Sequence, residues 1–341
     1  MKVTSRAPLR LGLSGGGTDV SPYCDRYGGL VLNATLDRYV YTTINPNINN
    51  KITFRSIDMQ EEESYKLNEK IKIRDKLIIH KGIYNYIIEN FNRGENLPLD
   101  ISTFSDAPAG SGLGSSSAIA VSMVRAYVEL LNLALDDYQI AYISYFVERI
   151  QCSLEGGRQD QYSATFGGFN FMEFYEDNKV IINPLRIKNW IVCELESKIL
   201  LFSTEKSRDS AKIIKEQCNN ITKDNQDQIN AMHGIKEETI KFKESLLKGD
   251  FSGIVETFRK GWELKKNTAA SVSNAYLNKI HEKAIHSGAL AGKVSGAGGG
   301  GFMIFLVPIE KRMNVIKELE EFKGVIYNCH FSNNGCQAWH L

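Results

Sequence analysis

The chain has 341 residues, of which 43% are hydrophobic and 24% are charged, and its formal net charge is +1. These values are ordinary for a globular protein, and the length suits two domains. A near-neutral chain has no strong overall field, which argues against nucleic-acid and membrane-surface partners. An anionic ligand would have to be held by local groups.

The terminal stretch MKVTSRAPLRLGLSGGG has no continuous apolar run after its basic residues, so we expect no secretory signal. The run from Ala107 to Val124 is uncharged, but it is too rich in Gly and Ser for a membrane span. The six cysteines are scattered and form no CxxC pair. They predict reduced thiols, no protein-ligated transition metal, and a cytoplasmic protein.

Taken in chain order, the first half predicts strands that give way to helices. Expected strands cover 2–13, 30–44, 51–65 and 99–104, and expected helices cover 77–91, 115 to about 133, and 138–152. Two adjacent glycines at 156 and 157 should end the last of these helices.

The second half predicts a different order of elements. Expected strands are two over 190–204 and one each over 302–307 and 325–331; expected helices are two over 209–247 and one each over 251–266, 274–286 and 310–322. Strands and helices mix in both halves, so the predicted class is α+β. The expected domains are 1–175 and 176–341, joined near 165–190.

Three glycine-rich loops are the most informative feature of the sequence. Loop 2 (residues 108–117) reads PAGSGLGSSS between a predicted strand and a predicted helix. Its glycines can turn successive N–H groups inward, and the helix start adds its dipole and unpaired amides. Serine is also a favoured helix N-cap, and its hydroxyl suits a hard ion such as Mg²⁺. A capped helix after a flexible turn is the alternative, and we prefer a phosphate cradle.

Loop 3 (residues 293–301) reads KVSGAGGGG and spells GxGxxG from Gly296 to Gly301. It precedes a predicted strand, whereas the dinucleotide-binding fingerprint follows one and opens a helix. Lys293 beside five glycines favours a loop pressed against an anion over a plain hairpin.

Loop 1 (residues 10–19) reads RLGLSGGGTD and contains GxSxG from Gly12 to Gly16. A nucleophile elbow at Ser14 would precede most of the sheet needed to support it, so a hydrolase is disfavoured. Asp19 is better interpreted as an acceptor for substrate hydroxyls. A fourth segment, EGGRQDQ from Glu155 to Gln161, offers carboxylates beside Arg158 as candidate general bases, although a surface turn would look the same.

With these residues in hand, the chain resembles the GHMP kinase family. The first motif of the family matches APLR through TD, from Ala7 to Asp19. The second matches PxxxGLGSSSA from Pro108 to Ala118, and the third matches Lys293 to Phe302. The resemblance implies a two-domain fold, with an N-terminal domain like ribosomal protein S5 domain 2 and a ferredoxin-like C-terminal domain. It also implies an ATP-dependent kinase with Mg²⁺ as cofactor.

The resemblance assigns roles residue by residue. Asp160 would be the catalytic aspartate and Arg10 its basic partner. Ser116 and Glu148 would ligate the metal. The expected ATP-binding residues are Pro108, Gly110, Ser111, Gly112, Leu113, Gly114, Ser115, Ser116 and Ser117. The expected substrate-binding residues are Gly15, Gly16, Gly17, Thr18, Asp19, Arg158, Gly298 and Gly299, with loop 3 supporting the phosphate loop.

Gly16-Gly17 stand where galactokinases carry a Glu-His pair, so plain galactose is not expected. The strings RAPLRLGLSGGGTDVSPY and GGRQDQYSATFGGFNF resemble a subgroup acting on the anomeric hydroxyl of D-glycero-D-manno-heptose 7-phosphate. Arg26, Lys206 and Arg208 are candidates for holding the 7-phosphate. The alternatives are a kinase for another sugar such as fucose, or a non-catalytic sensor. The expected partners are ATP and a sugar phosphate, with no nucleic acid and no membrane, and the sequence leaves monomer and homodimer open.

Overall fold

The computed structural model describes residues 1–108, 110–205 and 210–341. Ala109 of loop 2, the candidates Lys206 and Arg208, and the first residue of the helix expected from 209 therefore lie outside the described residues. In the described part of the chain, no helix has the length and apolar character needed to cross a membrane.

The first half supplies most strands of a mixed sheet and several helices that pack against it. Its strands are β1 (Val3–Ser14), β2 (Gly29–Pro46), β3 (Lys51–Ser56), β4 (Glu61–Lys66), β5 (Leu99–Ser105), β6 (Phe169–Phe174) and β7 (Val180–Pro184). Its helices are α1 (Tyr23–Tyr27), α2 (Ile78–Phe91), α3 (Ser115–Leu130), α4 (Asp137–Tyr145), the π-helical turn Phe146–Gln151 and α5 (Gln159–Phe166).

The second half contains a smaller sheet and most of the long helices. Its strands are β8 (Ile199–Ser203), β9 (Ala291–Val294), β10 (Phe302–Leu306), β11 (Val325–Asn328) and β12 (Gln337–His340). Its helices are α6 (Asn189–Lys198), α7 (Ser210–Thr222), α8 (Gln226–Lys248), α9 (Phe251–Lys266), α10 (Ala275–His286) and α11 (Arg312–Leu319), with single 3₁₀ turns at Ala270–Val272 and Ile309–Lys311.

The larger sheet has the strand order β12-β1-β2-β5-β3-β4, and β6 joins it on β2 with β7 outside. The long strand β2 makes this branching possible, because its first half pairs with β6 and its second half pairs with β5. The β1–β2 register shifts between Pro8 and Arg10. Such an irregularity re-aims the side chain beside it, and here that side chain is Arg10.

The smaller sheet is antiparallel with the order β11-β8-β10-β9. Numbered by their order in the chain, the strands of this sheet lie in the order 4-1-3-2. The chain connects them as β-α-β-β-α-β, which is the ferredoxin-like arrangement. The prediction of an α+β fold with a ferredoxin-like second half is confirmed. β12 returns to the first sheet and pairs with β1, so the two halves are tied together at the end of the chain.

The first apolar core extends from the larger sheet to one face of the smaller sheet, and the other face of the smaller sheet packs on a second core. In the first, Leu9 and Leu11 of β1 and Val121 and Val124 of α3 are fully buried together. In the second, Leu200 and Phe305 are buried against α10 and α11. Burial on this scale contributes roughly 25 cal/mol per Å² of apolar surface removed from water. These cores hold the loops between the two sheets in position.

The prediction of two strands over 190–204 is wrong for its first part. Asn189–Lys198 is helix α6, and strand begins only at Ile199. Ile191 and Leu195 are four residues apart and both buried, which is the spacing of one helix face rather than the alternation of a strand. An ion pair between Glu194 and Lys198, also four apart, supports the same helix.

Candidate active site

A cleft of about 260 Å³ lies between the three glycine-rich loops. Loop 2 forms one wall, while α5, α7 and α9 contribute the others. Of the residues expected at the site, those lining the cleft are Arg10, Gly17, Asp19, Gly110, Gly112, Gly114, Ser115, Ser116, Ser117 and Asp160. The fold therefore brings together motifs from the beginning, middle and end of the chain.

Loop 2 depends on glycine for its shape. Gly110, Gly112 and Gly114 have φ values of 75°, 82° and 77°, the left-handed region that other residues rarely adopt. α3 starts at Ser115, and its N-cap is Gly114 with no capping side chain. The expectation that a serine caps this helix is wrong. The first amides of α3 are left to meet a ligand, which suits an anion.

Backbone bonds from both halves of the chain hold loop 2 in place. The Arg10 amide donates to the Leu113 carbonyl at 2.9 Å, and the Phe302 amide donates to the Ser111 carbonyl at 3.0 Å. The Ser295 hydroxyl of loop 3 donates to the Gly112 carbonyl at 3.1 Å. Loop 3 therefore supports loop 2 from behind.

Arg10 and Asp160 form a bidentate ion pair at the edge of loop 2. Arg10 Nε lies 2.7 Å from Asp160 Oδ1, and Arg10 Nη2 lies 3.0 Å from Asp160 Oδ2. Arg10 Nη1 also donates to the Gly112 carbonyl at 2.6 Å. A Cβ on Gly114 would lie 3.3 Å from the Asp160 carboxyl carbon and 3.4 Å from Arg10 Cγ. The glycine lets the ion pair approach the phosphate loop closely.

Glu148 lies beneath the start of α3 and has no exposed surface. One carboxylate oxygen accepts from the Ser116 hydroxyl, and the other accepts from Ser117 at 2.7 Å and from Gln161 Nε2 at 2.6 Å. Arg149 pairs with it at 3.1 Å. Glu148 is on a π-helical turn, a distortion that often marks functional sites. Of the two expected metal ligands, Ser116 lines the cleft, and the buried Glu148 contacts Ser116 from behind the cleft wall.

Asp19 of loop 1 is fully buried yet contributes to the cleft wall. It accepts from the Gln159 amide, from Gln159 Nε2 and from the Gly17 amide, at 3.0, 3.0 and 3.1 Å. A Cβ at Gly157 would lie 1.9 Å from its Oδ2. The paired glycines after Glu155 therefore make room for this carboxylate.

Several expected substrate residues lie behind the cleft wall. Arg158 donates to the Tyr175 carbonyl, Ser21 and Asp25, and does not reach the cleft. The Thr18 hydroxyl donates to the Gly15 carbonyl of loop 1 and to the Leu30 carbonyl of β2. A Cβ on Gly298 or Gly299 would collide with Val272 or Ile213, so these glycines serve close packing of loop 3.

The other expected residues are held nearby. Gly15 packs on β2, where a Cβ would lie 2.0 Å from the Leu30 carbonyl oxygen, and Gly16 lines a smaller cavity beside the cleft. Ser111 and Leu113 are buried inside loop 2. Arg26 is on the surface, paired with Asp224 at 2.8 Å.

Among the described residues that line the cleft, Arg149, Gln217 and Lys265 lie outside the segments that the sequence singled out. Lys265 lies with Lys266 in the last turn of α9, where basic residues are ordinary because they suit the helix dipole. In the structure its Nζ donates to the Gly16 carbonyl at 2.7 Å. Only the packing of α9 against loop 1 identifies it.

Lys293, singled out in loop 3, lies at the end of β9. Its Nζ donates to the Leu13 carbonyl at 2.5 Å and lies 4.7 Å from the centre of the Phe258 ring. Burial, with smaller contributions from the charges of Lys265 and Arg10, lowers the pKa of Lys293 to about 7. Lys293 lines the smaller cavity beside the cleft together with Arg10 and Lys265.

Comparison with known proteins gives consistent matches over the whole chain. The family model for the GHMP kinases N terminal domain matches residues 78–168, and the model for the GHMP kinases C terminal region matches residues 242–324. The D-glycero-alpha-D-manno-heptose 7-phosphate kinase of Campylobacter jejuni is 44% identical over 339 residues, covering 99% of both chains.

A crystal structure of a D-glycero-D-manno-heptose 1-phosphate kinase from Bacteroides thetaiotaomicron superposes with a TM-score of 0.84. It is 40% identical, and the match covers 99% of both chains. A bifunctional fucokinase/GDP-fucose pyrophosphorylase of Arabidopsis thaliana is 24% identical over 94% of this chain and 32% of its own length.

Proposed function

This chain belongs to the GHMP kinase family and has its fold, and from that premise we propose that it phosphorylates D-glycero-D-manno-heptose 7-phosphate. The terminal phosphate of ATP would pass to the anomeric hydroxyl and give the 1,7-bisphosphate, for nucleotide-activated heptose and surface polysaccharide. The observation that carries this proposal is the Arg10–Asp160 pair held against loop 2. The 44% identity to a heptose 7-phosphate kinase supports the substrate.

Loop 2 is the proposed phosphate-binding segment. The uncapped amides of α3 and the amides of the loop 2 glycines would supply donors, and the helix dipole favours negative charge. Such donors cost no reorganisation when charge develops on the transferring phosphate. The proposed ATP contacts are those residues of loop 2, from Pro108 to Ser117, that the sequence singled out.

The proposed reaction is a direct transfer. The hydroxyl oxygen of the sugar attacks the γ-phosphorus of ATP, the bond to the β–γ bridging oxygen breaks, and ADP leaves. Asp160 orients the hydroxyl and accepts its proton, while Arg10 holds the carboxylate in place and supports charge on the γ-phosphate. Phosphoryl transfer depends mainly on such positioning and charge stabilisation.

Kinases of this family are ATP-dependent and generally need a divalent metal. The oxygen donors of Ser116 and Glu148, in contact with each other at the start of α3, fit Mg²⁺, which prefers hard oxygen ligands and substrate phosphates. We propose these two residues as its protein ligands. When bound, Mg²⁺ would neutralise charge on the ATP phosphates.

Loop 1 is the proposed sugar-binding segment. Asp19 faces the cleft with acceptor capacity beyond the three N–H groups it already binds, since a carboxylate can accept about four hydrogen bonds. Gly15, Gly16, Gly17 and Thr18 would shape this wall. Arg158, Gly298 and Gly299 would act by supporting it rather than by touching the sugar.

Three further features belong to the proposal. The enzyme would work in the cytoplasm, where ATP and sugar phosphates are available. The chain would divide into domains at 175/176, with β7 and β12 crossing back to the first sheet. The oligomeric state, monomer or homodimer, would be read directly from light scattering.

The test is ADP release with magnesium ATP and a panel of heptose 7-phosphate, mannose 6-phosphate, fucose, galactose and mevalonate. Turnover confined to heptose 7-phosphate would support the proposal. Preference for fucose would favour the fucokinase alternative, which the Arabidopsis relative makes the first rival. ATP binding without turnover of any sugar would favour a non-catalytic sensor. The joint presence of Arg10, Ser116, Glu148 and Asp160 argues against that alternative.

A further inference from the structure

The smaller cavity beside the cleft has a volume of about 50 Å³. Among the described residues, Arg10, Gln159, Lys265 and Gly296 line both spaces and form the rim between them. Since a single water needs about 10–15 Å³ of such volume, the cavity has room for a group the size of roughly three or four waters. Arg10 binds Asp160 at 2.7 and 3.0 Å, so the cavity lies next to the place where the proposed transfer occurs.

Two glycines line this cavity without a local reason to be glycine. Gly12 is in β1, and Gly261 is in the interior of α9. Neither has a left-handed φ, and a Cβ on either would have no heavy atom within 4 Å. Glycine inside a helix or strand is less favourable than alanine because it loses more backbone entropy, and in a strand it often marks the close approach of a ligand. The space that these glycines leave open is therefore the feature to be explained.

The walls of the cavity suit a short chain that carries a phosphate. Phe258 and Trp262 of α9 give the cavity apolar surface, and Lys293 of β9 gives it a cation. The Lys293 ammonium group has three N–H donors, of which one is directed to the Leu13 carbonyl. No carboxylate is among the described residues that line the cavity. Burial above all lowers the pKa of Lys293 to about 7, and a bound anion would favour its charged form.

Resting on the proposed function, we propose that this cavity receives the phosphate-bearing end of the acceptor, and that Gly12 and Gly261 set how large that end can be. The reacting hydroxyl would lie beside Asp160, and the far end of the sugar would pass the rim at Gln159 and Gly296. A methyl group at Gly12 or Gly261 would enter this space without displacing protein atoms. The cavity would therefore select acceptors by the size of the chain beyond the ring.

The experiment adds one methyl group to the cavity and follows each substrate separately. Gly261→Ala and Gly12→Ala should each raise KM for heptose 7-phosphate by roughly 10- to 200-fold, the range for one carbon too many in a binding pocket. KM for ATP should stay near the wild-type value, because no described residue of loop 2 lines the cavity. Calorimetric titration of heptose 7-phosphate without ATP should show the same loss of affinity.

Gly94→Ala is the matched control. Its Cβ position also has no heavy atom within 4 Å, but Gly94 is exposed and does not line the cavity. We expect wild-type KM values for both substrates in this variant. Gly261→Ala should melt no earlier than wild type, because alanine is the better helix former. Gly261→Val, which fills more of the cavity, should raise KM for heptose 7-phosphate further than Gly261→Ala does.

The outcomes separate this inference from the proposed function. An unchanged KM for heptose 7-phosphate in both alanine variants, or an equal rise in KM for ATP, would overturn the role of the cavity while leaving the kinase intact. A wild-type enzyme inactive on heptose 7-phosphate would overturn the proposed function and this inference with it. If Gly12→Ala melts early, the result for Gly261→Ala alone decides.

Discussion

Arg10 and Asp160 are separated by 150 positions in the sequence and meet in a bidentate ion pair, with N–O distances of 2.7 and 3.0 Å. Arg10 projects from β1 just after a register shift, and Asp160 lies in the first turn of α5. Both side chains have an atom within 3.4 Å of the position that a Cβ on Gly114 would occupy. This junction of strand, helix and phosphate loop is where the proposed chemistry occurs.

The first prediction concerns Asp160. Replacing it with Asn or Ala should lower kcat by roughly 10²- to 10⁴-fold, the usual contribution of a positioned general base. ATP binding should persist, because the Leu113 and Ser111 carbonyls of loop 2 keep their bonds from the Arg10 and Phe302 amides. Single-turnover kinetics and nucleotide titration would measure the two effects. Asp227→Asn, on the exposed start of α8, is the control, and near-normal turnover of Asp160→Ala would show the assigned role to be wrong.

The second prediction concerns Gly114. Alanine there would force a Cβ into a backbone with φ +77° and press it toward Asp160 and Arg10. Gly94 has φ +76° and nothing within 4 Å of its Cβ position, so Gly94→Ala carries the same backbone strain without the contact. We expect kcat to fall at least tenfold in Gly114→Ala and to stay near wild type in Gly94→Ala. Equal kcat values for the two variants would argue against a role for this close approach.

The third prediction concerns the metal. Ser116→Ala removes a hydroxyl oxygen next to Glu148 and should raise the Mg²⁺ concentration needed for half-maximal activity. A shift of roughly tenfold corresponds to about 1.4 kcal/mol. Titration of activity with Mg²⁺ at saturating ATP is the measurement. Ser252→Ala, on the exposed first turn of α9, is the control, and an unchanged Mg²⁺ curve for Ser116→Ala would exclude Ser116 as a ligand.

The fourth prediction concerns pH and His80. Burial, with a smaller contribution from Lys81, lowers the pKa of His80 from 6.5 to about 4, and its Nε2 bonds Thr103 at 2.8 Å. Between pH 6.5 and pH 4 His80 is protonated in the unfolded chain and neutral in the folded protein. The free energy of unfolding therefore falls as pH falls from 6.5 toward 4. The full effect is about 3 kcal/mol, from about 1.4 kcal/mol per pKa unit.

His80→Gln should therefore lose less stability than wild type between pH 7 and pH 5. Urea unfolding at several pH values gives the comparison, and the carboxylates common to both proteins cancel in the difference. His286→Gln on the exposed end of α10 is the control and should keep the wild-type slope. Parallel pH curves for His80→Gln and wild type would show that His80 does not titrate as described.

The sequence determined the local features of this protein. Loop 2 could be recognised because its left-handed backbone requires glycine, and the helix after it follows from apolar spacing that needs no distant partner. The α+β class and the alternation of elements in the second half were also predictable. Errors arose in short segments, where 190–198 is helical and where β6, β7 and β12 were not predicted.

Tertiary structure alone decided which residues meet in the cleft. Glu148 could be assigned only by family resemblance, since a single carboxylate in a helix has no local signal, and for Asp160 the local sequence offered no more than a candidate general base. Lys265 had no signal at all, because its position depends on α9 packing across 249 residues against Gly16. Conversely, Arg158 looked like a substrate ligand but lies behind the wall with Asp25. Backbone conformation depends on neighbouring residues, whereas the direction of a charged side chain depends on what the whole fold places opposite it.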